Sequence, residues 1–123
     1  MITTYALILA RCGLSHREAA NVHNVRLDTV KSWATGRNNA PAGAINELRT
    51  RHAQIERAAG EGIAQIAILT DSHGQPDAAR LTLSNSDADA QTRGWPCVGA
   101  HAAVLGLIAA RAAVPVEVER AEG

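Results

Sequence analysis

The sequence predicts a mainly α fold: a helical N-terminal region, then a smaller C-terminal region of short strands and one helix. Three observations carry that expectation. Apolar residues recur at helical spacing through the first half of the chain, turn signals interrupt them at short intervals, and strict alternation appears only in two late segments. The 123 residues are 46% hydrophobic, which excludes a disordered chain, although much of that figure is alanine. There is no Phe, and Tyr5, Trp33 and Trp95 are the only aromatics. A core so poor in large side chains calls for close-packed helices and a partner chain that finishes burying them.

Thr3 to Arg11 is helix-compatible, with Tyr5, Leu7 or Ile8, and Cys12 at helical spacing, and Gly13 ends it. Leu14-Ser15-His16-Arg17-Glu18 contains a capping box, in which Ser15 and Glu18 satisfy each other's backbone N–H groups. The helix that follows carries Ala19, Ala20 and Val22 and stops near Asn24, the best residue after glycine for a left-handed stop. A third short helix spans about Leu27 to Thr35, with Val30 and Trp33 on one face, and Gly36 closes it. Arg37-Asn38-Asn39 is a polar loop, and Pro41 suits the first turn of a fourth helix.

In that fourth helix Ile45, Leu48, His52, Ile55, Ala59, Gly62, Ile66 and Leu69 form a heptad-like stripe. The stripe fits a helix packed on its own domain or a coiled coil between two chains. Gly60 and Gly62 each weaken the helix by about 1 kcal/mol. Either it ends near Ala59 and 63–69 is a strand, or it runs to about Leu69, which is the expectation adopted. Ser72-His73-Gly74-Gln75-Pro76-Asp77 is a turn cluster. Arg80–Ser84 alternates like a half-buried strand, Asn85–Asp89 reads as an acidic loop, and a helix is expected over Trp95–Ala112. Val116–Glu119 alternates again, as a closing edge strand. The chain thus divides into residues 1–59 and residues 60–123.

Charge follows the same division. Lysine plus arginine and aspartate plus glutamate both total 12, so the net charge is zero. Residues 1–59 nevertheless set Arg11, Arg17, Arg26, Lys31, Arg37, Arg49, Arg51 and Arg57 against Glu18, Asp28, Glu47 and Glu56. The remaining residues set four arginines against eight acids, from Glu61 to Glu122. A basic front half points to a polyanion-binding module. Cys12 and Cys97 form no CxxC pattern, so neither a disulfide framework nor a zinc site is expected, and a reducing cytoplasm is the default compartment. Met1-Ile-Thr-Thr-Tyr lacks the charged start and apolar run of a signal peptide. The apolar stretch Gly94–Ala110 is shorter than a bilayer span, so it reads as a buried helix rather than a membrane anchor.

The five histidines lack metal-ligand spacing, and neither metal nor cofactor is expected. Cys97 and His101, four apart, come nearest to a catalytic pair. No orienting acid, oxyanion site or glycine loop accompanies them, so no catalytic residue is assigned and an enzyme is not expected. Cys97 is instead expected to be a buried thiol on a helix whose Gly99, Ala103, Gly106 and Ala110 form a small-residue face for close helix packing.

Two short helices joined by a tight turn, the second polar at its start, form a helix-turn-helix. Val25 plugs the turn, Val30 and Trp33 hold the third helix to the core, and Arg26, Leu27, Asp28, Lys31 and Ser32 are expected to point away. Residues 3–50 resemble the lambda-repressor-like (Cro and repressor) helix-turn-helix family. The resemblance is carried by Leu14–Ala20, by Val25, and by Thr29-Val30-Lys31-Ser32-Trp33-Ala34-Thr35-Gly36-Arg37. Asn24 in place of the turn glycine, Arg26 at the cap and Leu27 at an often polar position depart from the pattern. The remainder is similar in order to the anti-CRISPR-associated regulators, small phage-borne autorepressors, through Gly36-Arg37…Pro41, Arg80–Ser84 and Gly94-Trp95.

The resemblance implies an autoregulating repressor that binds a palindromic double-stranded DNA operator as a homodimer. His16 and Arg17 would meet phosphate or an outer base. Leu27, Asp28, Lys31 and Ser32 would face base edges, with Thr29 beside them and Arg26 at the groove wall. Arg37, Asn38 and Asn39 would hold the DNA backbone. Leu83, Gly99, Ala103, Gly106, Val116 and Val118 are the candidate dimerisation residues. Two other readings stay open: an antitoxin whose C-terminal region captures a toxin protein, and an RNA-binding translational regulator.

Overall fold

A computed structural model describes residues 2–73 and 78–122. The chain divides into two compact units, Met1–Gln54 and Ile55–Gly123, so the boundary lies inside the long helix, a few residues before Ala59. Among the described residues the elements are α1 (Thr4–Arg11), α2 (His16–His23), α3 (Leu27–Thr35), α4 (Ala42–His73), β1 (Ala79–Leu83), α5 (Asp87–Thr92), α6 (Val98–Arg111) and β2 (Val116–Arg120). The protein is mainly helical with one small two-stranded parallel sheet. No helix among these residues is long and apolar enough to cross a membrane.

In the first unit, caps and left-handed residues set most of the helix boundaries. The Thr3 hydroxyl accepts from the Ala6 N–H (3.1 Å), starting α1, and donates to the Trp33 and Ala34 carbonyls (3.0 and 3.1 Å) near the end of α3. Gly13, at φ 69°, turns the chain toward α2. Both halves of the expected capping box form: Glu18 N–H to Ser15 Oγ (3.1 Å) and Ser15 N–H to Glu18 Oε1 (2.8 Å). Asn24 takes the left-handed conformation (φ 56°, ψ 49°), and the Val25 N–H closes the turn on the Ala20 carbonyl (3.0 Å). Gly36 ends α3 at φ 84°. Tyr5, Leu9, Ala19, Val30, Trp33 and Leu48 form the buried centre. Burying a side chain the size of Val30 or Leu48 stabilises by about 1.5–3 kcal/mol.

In the second unit, Ile55 and Ala59 of α4 and Ala100, Val104 and Ile108 of α6 are buried. A Cβ on Gly62 would stand 2.6 Å from Ile108 Cδ1, so the small residue lets α4 and α6 approach closely. A Cβ on Gly60 meets nothing within 4 Å. Gly60→Ala is therefore expected to raise stability by about 1 kcal/mol, the helix-propensity difference, measured by urea unfolding. The Arg111 guanidinium holds the Glu56 carboxylate through two bonds (2.7 and 3.3 Å), which lifts the Arg111 pKa further. Strand register runs from Ala79 beside Val116 to Leu83 beside Arg120.

Several expectations need correction. α4 runs on to His73, past the expected stop near Leu69. Its stripe is fully buried last at Ala59: Gly62 and Ile66 are half-buried, and Leu69 is 47% exposed. The acidic loop at 85–89 is in fact the start of α5, because Ser86 Oγ caps the Asp89 N–H (3.1 Å) and two acids favour the first turn. α6 begins at Val98 rather than Trp95, with Cys97 at the cap position. β1 ends at Leu83, because the Ser84 N–H turns inward to His101 Nδ1 (3.1 Å). The turn cluster expected at 72–77 lies outside the described residues, except that the backbone of 72 and 73 belongs to α4.

Candidate nucleic-acid interface

Nine residues of α3 give little more than two turns, so each position has a definite direction. Val30, Trp33 and Ala34 face the core, and Leu27 and Thr29 are half-buried at the edges. The outward arc is Asp28, Lys31 and Thr35, all exposed. Ser32 does not belong to it. Only 4% of Ser32 is accessible, and its hydroxyl donates to the Thr29 carbonyl at 2.7 Å. The expected outward placement of Ser32 is thus corrected: a short hydroxyl satisfied by its own helix can be buried without leaving a polar group unpaired. Thr35, which the sequence reading passed over, holds the outward place one turn after Lys31. Position 35 lies four after 31 and seven after 28, a helical repeat that identifies it once the face is known.

His16 and Arg17, the first two residues of α2, are exposed. Arg26 is exposed at the cap position of α3 and makes no side-chain cap bond. Arg37, Asn38 and Asn39 are exposed in the loop, which the Asn38 N–H ties to the Ser32 carbonyl (3.2 Å). The structure therefore brings Arg26, Asp28, Lys31 and Thr35 onto α3 and its cap, with the Arg37–Asn39 loop just beyond its end. Residues 1–54 hold seven Lys or Arg against Glu18, Asp28 and Glu47, and Arg51 is engaged with Glu47 at 3.0 Å.

Behind α3, three rings hold the helix in place. Trp33 meets Tyr5 edge-on (centroids 5.5 Å apart, 75°) and His23 likewise (5.7 Å, 72°). His23 Nε2 shares a hydrogen bond with the Tyr5 hydroxyl (3.0 Å). Burial, and secondarily Cys12, pushes the Tyr5 phenol up to about 12, so it stays neutral. Burial lowers the His23 pKa, opposed by Glu47 and assisted by Arg51.

The C-terminal candidates scatter. Leu83, Gly99, Ala103 and Val116 are half-buried, while Gly106 and Val118 are exposed, and a Cβ on Gly106 would meet nothing within 4 Å. Cys97 is buried. Its neighbour on the helix, His101, is a structural clip: Nδ1 accepts from the Ser84 N–H and lies 3.1 Å from Ser84 Oγ. Burial lowers the His101 pKa, with Arg93 adding to the effect and Asp89 opposing it.

Both histidines are thus depressed below the ordinary 6.5. The unfolded chain binds more protons than the folded one once pH falls below about 6.5, so stability present above that value is lost on acidification. The thermal midpoint is expected to hold between pH 7 and 8 and to drop between pH 6.5 and 5. His101→Asn keeps an acceptor for Ser84 without a titration and should shrink that drop; an unchanged drop would remove His101 from the explanation.

The chain matches no known protein-family model and no curated protein.

Proposed function

We propose that the chain is a sequence-specific DNA-binding transcriptional repressor, working as a homodimer on a two-fold operator in the promoter of its own gene. The observation that carries this reading is the pair α2 and α3, joined by the left-handed Asn24 and closed by Val25. In the proposed role the pair is a helix-turn-helix. Its second helix offers Asp28, Lys31 and Thr35 to base edges, and Arg17, Arg26 and Arg37 neutralise phosphates. The positive balance of residues 1–54 supports the same role, as do the resemblances to lambda-repressor-like and anti-CRISPR-associated regulators.

A single helix-turn-helix binds weakly, and two-fold half-sites about 10–10.5 bp apart are the usual remedy. Uncovered apolar side chains in the second unit support pairing: Ile68, Leu69 and Val118 are 57%, 47% and 49% exposed. The test is the salt dependence of binding to the DNA upstream of the chain's own gene. Arg37→Ala should weaken binding to all DNA alike and reduce the log–log salt slope by about 0.9 for one lost phosphate contact. An unaltered slope would take Arg37 off the phosphate backbone.

A further inference from the structure

A two-stranded sheet has two open edges. At its ends the Ala79 N–H donates to the Pro115 carbonyl (2.8 Å) and the Ala121 N–H to the Leu83 carbonyl (2.7 Å). Together with the register, these bonds fix the phase of the parallel ladder. Residues 79, 81 and 83 turn their backbone groups toward β2, and Arg80 and Thr82 turn theirs outward. No hydrogen bond among the described residues takes up those outward groups.

We infer that the open edge of β1 is completed by β1 of a second copy of this chain, antiparallel about Leu81, giving a four-stranded sheet in the order β2-β1-β1-β2. The inference rests on the homodimer reading and assigns it a surface. Charge weighs against the registers centred on 117–119 of the other edge, and within β1 it favours one register. In a two-fold antiparallel pair, opposed residues lie on the same face of the sheet, so a strand pairs with its copy about one of its own residues. For β2, pairing about Glu117 or Glu119 sets that glutamate against itself, and pairing about Val118 sets Glu117 against Glu119. Like charges directly opposite are destabilising.

For β1, pairing about Arg80 sets that arginine against itself. Pairing about Thr82 would need the backbone of Ser84, which is fully buried and already bonded to His101. Pairing about Leu81 has neither defect. Leu81 meets its counterpart, Ala79 meets Leu83 of the second copy, and Arg80 and Thr82 exchange their outward N–H···O=C bonds. The apolar row Ala79, Leu81, Leu83 then continues across the joint.

Leu81 occupies a non-hydrogen-bonded site in this arrangement, where opposed Cα atoms lie about 4.5 Å apart. That is within reach of a disulfide. Oxidising full-length Leu81→Cys is expected to yield a covalent dimer, and Val118→Cys on the other strand is expected to remain uncrosslinked; native Cys12 and Cys97 are buried. Thr82→Pro deletes an outward N–H that β2 does not use, so it should keep the circular dichroism of the parent while light scattering shows the mass of one chain instead of two. If Thr82→Pro fails to fold, the Leu81→Cys result decides. A parent of two-chain mass whose Leu81→Cys variant does not crosslink overturns the β1 edge and leaves the homodimer reading standing. A parent that is monomeric at micromolar concentration overturns both.

Discussion

Trp33→Ala is expected to unfold the N-terminal unit, or bring it to the edge of unfolding, at room temperature. Trp33 is buried and lies edge-on to both Tyr5 and His23, in a unit whose buried centre holds few other large side chains. Truncating a buried Trp costs about 3–5 kcal/mol, and whole domains are stable by only about 5–15 kcal/mol. Tyr5 and His23, the two rings against Trp33, are hydrogen-bonded to each other (3.0 Å) and so resist turning into the space. Guanidinium unfolding followed by circular dichroism should show the midpoint shifted far down, with DNA binding lost in parallel. A variant as stable as the parent would mean that α3 is held by something other than its ring cluster.

In the proposed DNA-binding role, Lys31→Ala is expected to have the second large effect, on affinity rather than on folding. Lys31 is exposed between Asp28 and Thr35 on the outward arc of α3. A lost base contact costs about 1–3 kcal/mol, roughly a 5- to 150-fold weakening. The parent's thermal midpoint should be retained, because the side chain has no core neighbour to lose. Ser32→Ala separates base contact from structure. Its hydroxyl is buried against the Thr29 carbonyl, so it should alter operator affinity far less than Lys31→Ala. The reverse order of effects would mean that α3 meets DNA with a different face.

The boundaries of α2 and α3 were legible because their signals are local. Ser15 with Glu18 makes a cap from four consecutive residues, and Asn24 and Gly36 stand where a left-handed backbone is required. The burial of Ser32 is not legible in the sequence, because helical spacing gives a direction around α3 but says nothing about what lies on its flank. The Ser86–Asp89 cap was readable by the same rule as Ser15–Glu18; a short helix without an apolar stripe made it look like a loop. Alternation in Arg80–Ser84 and Val116–Glu119 revealed strands, yet period two carries no information on partner or direction, so the parallel pairing appears only in the fold. The Gly62–Ile108 approach was equally hidden, since a glycine in a helix reads as a weakness until its neighbour is known.

The most direct test of the proposed repressor is a footprinting titration of the intact chain on the DNA upstream of its own gene, at fixed salt, with a scrambled fragment of equal length alongside. The expected result is a protected two-fold site, with half-sites about one helical turn apart, bound at least about 10³-fold more tightly than the scrambled fragment. Equal affinity for the two fragments, or no protection at all, would contradict sequence-specific DNA binding by α3.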